Sequence, residues 1–150
     1  MSMHELHHVV YTAYNSFPDF TQVHRMDQLC DVVKYCTHME GLAVYSTLKP
    51  RKSANVLNNR DYTLFLDERA RQKRVSEYFD VLTNLEVRGD AQLQENDWNI
   101  LQRMSGRNRL WYVAGAHMAQ LVENKLGHEA LVETIRLGPE NFFKMYHESF

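Results

Sequence analysis

His4-Glu5-Leu6-His7-His8 spells His-Glu-x-x-His almost at the start of the sequence. On an α-helix, residues four apart lie one turn above each other, so His4 and His8 present their imidazoles to one point in space. That point suits a zinc ion. Glu5 is turned about 100° round the helix axis from His4, where a carboxylate reaches a water at that point without joining the ligands. Two demands follow: the segment must be helical, and a third ligand must come from elsewhere.

Working outward, Met3, Leu6, Val10 and Ala13 recur at intervals of three and four, a period that predicts a helix from Met3 to about Phe17. Asn15-Ser16-Phe17-Pro18-Asp19 reads as its exit loop. A second helix is predicted from roughly Met26 to Thr47, with Leu29, Val32, Val33, Cys36, Ala43, Val44 and Thr47 as its inward stripe. Glu40 completes that stripe between Cys36 and Ala43. An isolated buried carboxylate is very costly, so Glu40 must be paired, protonated or bound to a metal. It is the natural third ligand; an ion pair with an arginine such as Arg109 is the competing reading.

His-Glu-x-x-His followed by His38-Met39-Glu40-Gly41-Leu42-Ala43-Val44-Tyr45 resembles the gluzincin class of zinc metallopeptidases, in which a third ligand lies in a Glu-Gly-x-Ala sequence on the second helix. The resemblance implies that His4, His8 and Glu40 bind Zn2+ and that Glu5 is the general base. The metzincin pattern does not fit, because Tyr11 and Tyr14 stand where its glycine and histidine belong. Val44 is a departure: some gluzincins carry an acidic residue there that orients a ligating histidine. The resemblance also implies a β-sheet lobe ahead of the metal helix, and only three residues precede His4. Either the chain is a single helical metallopeptidase-like domain over 1–150, or it is the C-terminal lobe of a longer protein.

Beyond Pro50-Arg51-Lys52-Ser53 and Asn58-Asn59-Arg60, which read as a polar connection, the remaining elements are also helical. A long helix is expected from about Asp61 to Val87, with Phe65, Val75, Phe79, Leu82 and Leu85 inward; Tyr62–Leu66 is the one stretch that also reads as a short strand. Its charged run, Asp67 to Arg74, reads as a solvated face with i,i+4 pairs Glu68–Gln72 and Asp67–Arg71. Further helices are expected at Glu95–Ser105, Arg107–Leu126, His128–Leu137 and Pro139–His147. Gly115, Ala116 and Ala119 form a small-residue strip that lets another helix come close, with Tyr112 three residues before Gly115 on the same side. The stretch Tyr112-x-x-Gly115-x-x-Met118-Ala119 and the ending Gly138-Pro139-Glu140-Asn141-Phe142-Phe143-x-x-Tyr146 are similar to uncharacterised zinc-dependent peptidases of gluzincin type.

The expected fold is thus an all-α bundle of six or seven helices with little or no sheet. The expected reaction is peptide-bond hydrolysis: Glu5 takes a proton from the attacking water and returns it to the leaving amine, and Tyr112 donates to the developing oxyanion. The alternative is a non-catalytic helical module, metal-binding or protein-binding, whose zinc site is structural or vestigial. A fourth protein ligand such as His7 or His38 would favour that alternative, and an open fourth position would favour catalysis.

A net charge of −2 on 150 residues gives no general attraction for nucleic acid or anionic membranes, so a peptide or protein is the expected partner. Cys30 and Cys36 lie six apart on one helix, pointing different ways, and read as small core or boundary residues rather than a disulfide. No apolar run approaches a membrane span and no signal-peptide pattern opens the sequence, so the expected location is cytoplasmic.

Overall fold

The computed structural model describes residues 1–150 as eight α-helices with no strand. They are α1 Met3–Tyr14, α2 Met26–Ser53, α3 Arg60–Leu66, α4 Glu68–Val87, α5 Asn99–Ser105, α6 Leu110–Leu126, α7 His128–Leu137 and α8 Pro139–Glu148. Single 3-10 turns stand at Phe20–Gln22 and Glu95–Trp98, and Arg25 forms an isolated antiparallel bridge with Gln92. The all-α expectation is met.

α2 is the axis of the molecule. The apolar members of its expected stripe, Leu29 to Thr47, are all buried, and so are Tyr35, Thr37, His38, Met39 and Leu42, so that burial runs right round the helix, while Glu40 is partly exposed. α6 lies against it over its most extensive interface. The two backbones touch at Gly41 and Gly115: a Cβ on Gly115 would stand 2.2 Å from the Thr37 carbonyl oxygen and 2.7 Å from the Gly41 Cα, and one on Gly41 2.3 Å from the Gly115 carbonyl carbon. The small-residue strip is therefore a helix crossing, and Gly115, Ala116 and Ala119 are all buried in it.

Several boundaries differ from the sequence reading, each for a local reason. α1 ends at Tyr14 rather than near Phe17. α2 does not stop before Pro50 but runs on to Ser53; the missing proline N–H falls in the last turn, where the Ser46 segment is open to solvent. A Schellman arrangement then closes the helix, with Asn55 at φ 56° and bonds from Val56 N to Arg51 O (2.9 Å) and from Asn55 N to Lys52 O (3.2 Å). Tyr62–Leu66 is not a strand but part of α3, which buries Tyr62 and Phe65 one turn apart. The single helix expected over 61–87 is broken at Asp67, which takes extended dihedrals and caps α4 by accepting from Ala70 N at 2.8 Å. That role removes the expected Asp67–Arg71 pair: Arg71 instead donates to the Phe65 carbonyl at 2.8 Å, while Gln72 does pair with Glu68 at 3.1 Å. α6 starts at Leu110, not Arg107, because Arg109 adopts a left-handed φ of 54°.

The departure that matters most is on α1. Met3, Leu6, Val9, Val10 and Tyr14 all face outward, 43–62% exposed, and only Tyr11 is buried. The face turned to the body carries His4, His7, His8 and Tyr11.

A methyl group at the α2–α6 crossing has only backbone to push against. Gly115→Ala is expected to cost about 1–3 kcal/mol or more, seen as a lower urea midpoint; a variant as stable as the parent would show that the helices are not in contact there.

Candidate metal centre

Glu40 lies one residue before the crossing glycine, on the side of α2 that α1 covers. His4 Nε2 stands 3.2 Å and His8 Nε2 3.1 Å from the same oxygen, Glu40 Oε2. The three donor atoms all lie within 4.8 Å of one another. Zinc bonds of about 2.0–2.1 Å in a tetrahedron put neighbouring donors about 3.3 Å apart, so these contacts have the length of a tetrahedron's edge. Two imidazoles and a carboxylate are also a donor set suited to zinc. The three residues fit the ion. Without one, hydrogen bonds hold the same convergence.

The titration of these groups follows from the contacts. Burial alone would raise the Glu40 carboxyl, but the hydrogen bonds from His4 and His8 outweigh it and bring the value down to about 2. The bond to Glu40 raises the His8 imidazole against the opposing effect of burial. The Glu40–Arg109 pairing considered from sequence does not occur: Arg109 forks onto buried Asp61 at 2.6 and 2.9 Å.

α1 is fixed by a second contact, which the sequence reading did not find. Tyr11 OH lies 2.8 Å from His38 Nδ1, and His38 Nε2 lies 2.9 Å from Thr134 Oγ1, while Thr134 Oγ1 donates to the Leu131 carbonyl at 2.6 Å. The direction of the whole chain can be deduced. Because Thr134 spends its proton on Leu131, it accepts from His38 Nε2–H; Nδ1 is then bare and accepts from Tyr11 O–H. Burial lowers His38 to about 3 and keeps it neutral, as this chain requires. His38, fully buried and stacked 4.3 Å from Phe142, is thus a strut that joins α1 to α2 and α7.

His7 also stays off the centre. Burial lowers it to about 4, and its buried Nε2 has no partner. Neither His7 nor His38 supplies a fourth ligand. His4, His8 and Glu40 keep 26%, 29% and 13% of their side-chain surface exposed, so the centre meets solvent.

Glu5 and Tyr112 flank it differently. Glu5 is fully exposed and stands at the third position of α1, where its carboxylate accepts from Ser2 N at 2.6 Å while its own N–H donates to Ser2 Oγ at 3.2 Å. This is a capping box, and the Ser2 contacts hold the Glu5 carboxyl below its ordinary value. Ser2-x-x-Glu5 was its sequence signal. Tyr112 is half-buried on α6, one turn before Gly115, with the Arg109 guanidinium 3.5 Å from its ring centroid. Burial first, and then the nearby Glu40 charge, raises its phenol. Val44 is buried 1% exposed in apolar company and offers no carboxylate to orient a ligand; Cys30 and Cys36 are buried free thiols.

Residues 1–150 match the sequence profile of a family described as putative zinc dependent peptidase (DUF5700). The chain belongs to this family. No curated protein and no solved structure matches it. The family's description names zinc as the metal, in agreement with the donor set.

His38 gives the metal-free protein a pH signature. Its value falls from 6.5 unfolded to about 3 folded, so its contribution is complete above about pH 6.5 and is lost as pH drops towards 3. The His8 shift has the opposite sign; its contribution is present below 6.5 and fades above it, so the two do not cancel on the acid side. Urea unfolding in EDTA should lose about 1 kcal/mol per pH unit from His38 between pH 6.5 and 5, and His7, held at about 4, adds a loss of the same sign; stability that is flat or rises over that range would contradict buried neutral histidines at these positions.

Proposed function

We propose that the chain is a zinc-dependent peptidase in which His4, His8 and Glu40 hold the metal, Glu5 is the general base and Tyr112 donates to the oxyanion. The observation that supports this reading best is the absence of a fourth protein ligand: three donors converge at a solvent-facing point, and both nearby histidines are turned elsewhere. A structural zinc site is closed by four protein ligands, whereas a catalytic one keeps a position open. Zinc, when bound there, lowers the pKa of a coordinated water towards about 7 and polarises a peptide carbonyl.

The chain's own groups have the remaining tasks. Glu40 and the two imidazoles fix the metal's position against α2. Glu5 lies on the exposed side of α1, close enough for the His4 and His8 charges to act on it. To move a proton it must exchange the Ser2 N–H for water, an exposed contact that solvent readily replaces. Tyr112 is held by the Arg109–Asp61 fork with its phenol in the field of Glu40. A neutral phenol there donates to a developing negative oxygen. The substrate class is a peptide or protein.

Glu5 is also the point that favours a second reading. Its carboxylate already serves the capping box, and the outward face of α1 is apolar. Both suit a non-catalytic module in which zinc fastens α1 to α2 and α1 meets a protein.

A quenched fluorescent peptide library separates the two. For a peptidase, cleavage disappears with EDTA and returns with zinc. Glu5→Gln should then slow it by about 10²–10⁴ while zinc content stays at the parent level. Loss of an oxyanion donor in Tyr112→Phe should cost about 10²–10³ in kcat. Cleavage unaffected by Glu5→Gln would reduce Glu5 to a helix cap, and no cleavage of any peptide by the zinc-loaded chain would favour the non-catalytic module.

A further inference from the structure

A cavity of about 500 Å3 opens along α2, walled by α2, the α3–α4 corner, α6, α7 and His7 of α1. Of the α2 residues that line it, Leu42, Tyr45 and Lys49 lie about 140–180° round the helix from Glu40 at 100° per residue, Ser46 and Lys52 about 120° and Leu48 about 80°. His4, His8 and Glu40 are not among its lining residues, and its size falls within the usual range of small-molecule sites, about 300–1,000 Å3. Phe65, Leu131, Val132 and Ile135 complete an apolar wall.

The polar groups around that wall are unevenly charged. Lys49, Lys52 and Arg71 line the cavity, and none of the three has a carboxylate partner; the arginine's one hydrogen bond is to the Phe65 carbonyl. Its Nε is buried with no acceptor at all, and on another wall the buried His7 Nε2 is likewise unpartnered. Buried nitrogens left in this state are uncommon. The only acidic residue of the lining, Glu123, is already engaged, accepting from Tyr45 OH and pairing with His128 Nδ1 at 2.8 Å. Lys49 and Lys52 are exposed, with the Lys49 charge acting on Glu123, so the unmet demand for an anion is that of the buried Arg71 Nε, which the two lysines reinforce. The aliphatic wall calls for an apolar body, and it provides no row of partners for the amides a peptide would bring.

We propose that this cavity binds a small carboxylate with an aliphatic tail, the tail against Phe65, Leu131 and Ile135 and the carboxylate among Lys49, Lys52 and Arg71. The site is independent of the peptidase reading. His7, which lines it, belongs to the metal helix, so an occupant also touches α1 from behind.

Titration of the zinc-free full chain with decanoate, kept below its micelle concentration and followed by calorimetry, tests the assignment. Saturable binding near one per chain is expected, weaker by about tenfold for methyl decanoate and for Lys49→Glu/Lys52→Glu. Val132→Trp, at a half-exposed position of the lining, is expected to block binding with the unfolding midpoint unchanged. His8→Ala, which disables the metal centre, should leave decanoate binding as it is. The proposal is overturned if decanoate does not saturate, if the ester and the charge-reversed protein bind equally well, or if a free-carboxylate tripeptide ending in leucine binds and decanoate does not.

Discussion

The close crossing of α2 and α6 at Gly41 and Gly115 is the constraint on which the rest of the molecule depends. With no Cβ on either residue, the backbones meet, and everything one turn away is brought to a fixed distance. Glu40 precedes one glycine and Tyr112 lies three residues before the other. The carboxylate and the phenol thus share one neighbourhood because two glycines let their helices touch. The Arg109–Asp61 fork, built where Arg109 takes a left-handed conformation at the start of α6, holds the phenol from the other side.

α1 is attached to this frame by polar contacts rather than by an apolar seam. Its only buried residue is Tyr11, tied through His38 to Thr134, and its histidines converge on Glu40. Helices in globular proteins more often dock with an apolar stripe and leave the polar face to water. Here the arrangement is inverted. The consequence is that the His4 and His8 imidazoles are oriented from two ends, by the carboxylate they face and by a neutral hydrogen-bonded strut one turn further on. Such outer contacts commonly set ligand geometry in metal sites.

The pieces of the centre were legible in the sequence because they depend on spacing within one turn. His-Glu-x-x-His, and a lone carboxylate inside an apolar stripe, are visible without knowledge of the tertiary fold, as was the small-residue strip at Gly115. The direction in which α1 faces was not legible. Periodicity locates its apolar side, and that side is exposed, because the buried face is made of histidines and a tyrosine whose partners lie on α2 and α7. Pro50 misled for a related reason: Thr47 is buried and bonded to Tyr62 OH at 2.6 Å, and this packing carries the helix through the proline. Ser2-x-x-Glu5 and Asp67-x-x-Ala70 could have been recognised as caps. Glu5 was read for its place in the metal motif, and Asp67 as part of a charged run.

The central claim is that His4, His8 and Glu40 hold one zinc ion with a position left open. X-ray absorption at the zinc edge, on chain loaded to one equivalent, tests it most directly. The account predicts a first shell of only nitrogen and oxygen at about 2.0–2.2 Å, with outer-shell scattering from two imidazoles. A sulfur neighbour at about 2.3 Å, or scattering from three or more imidazoles, would contradict it.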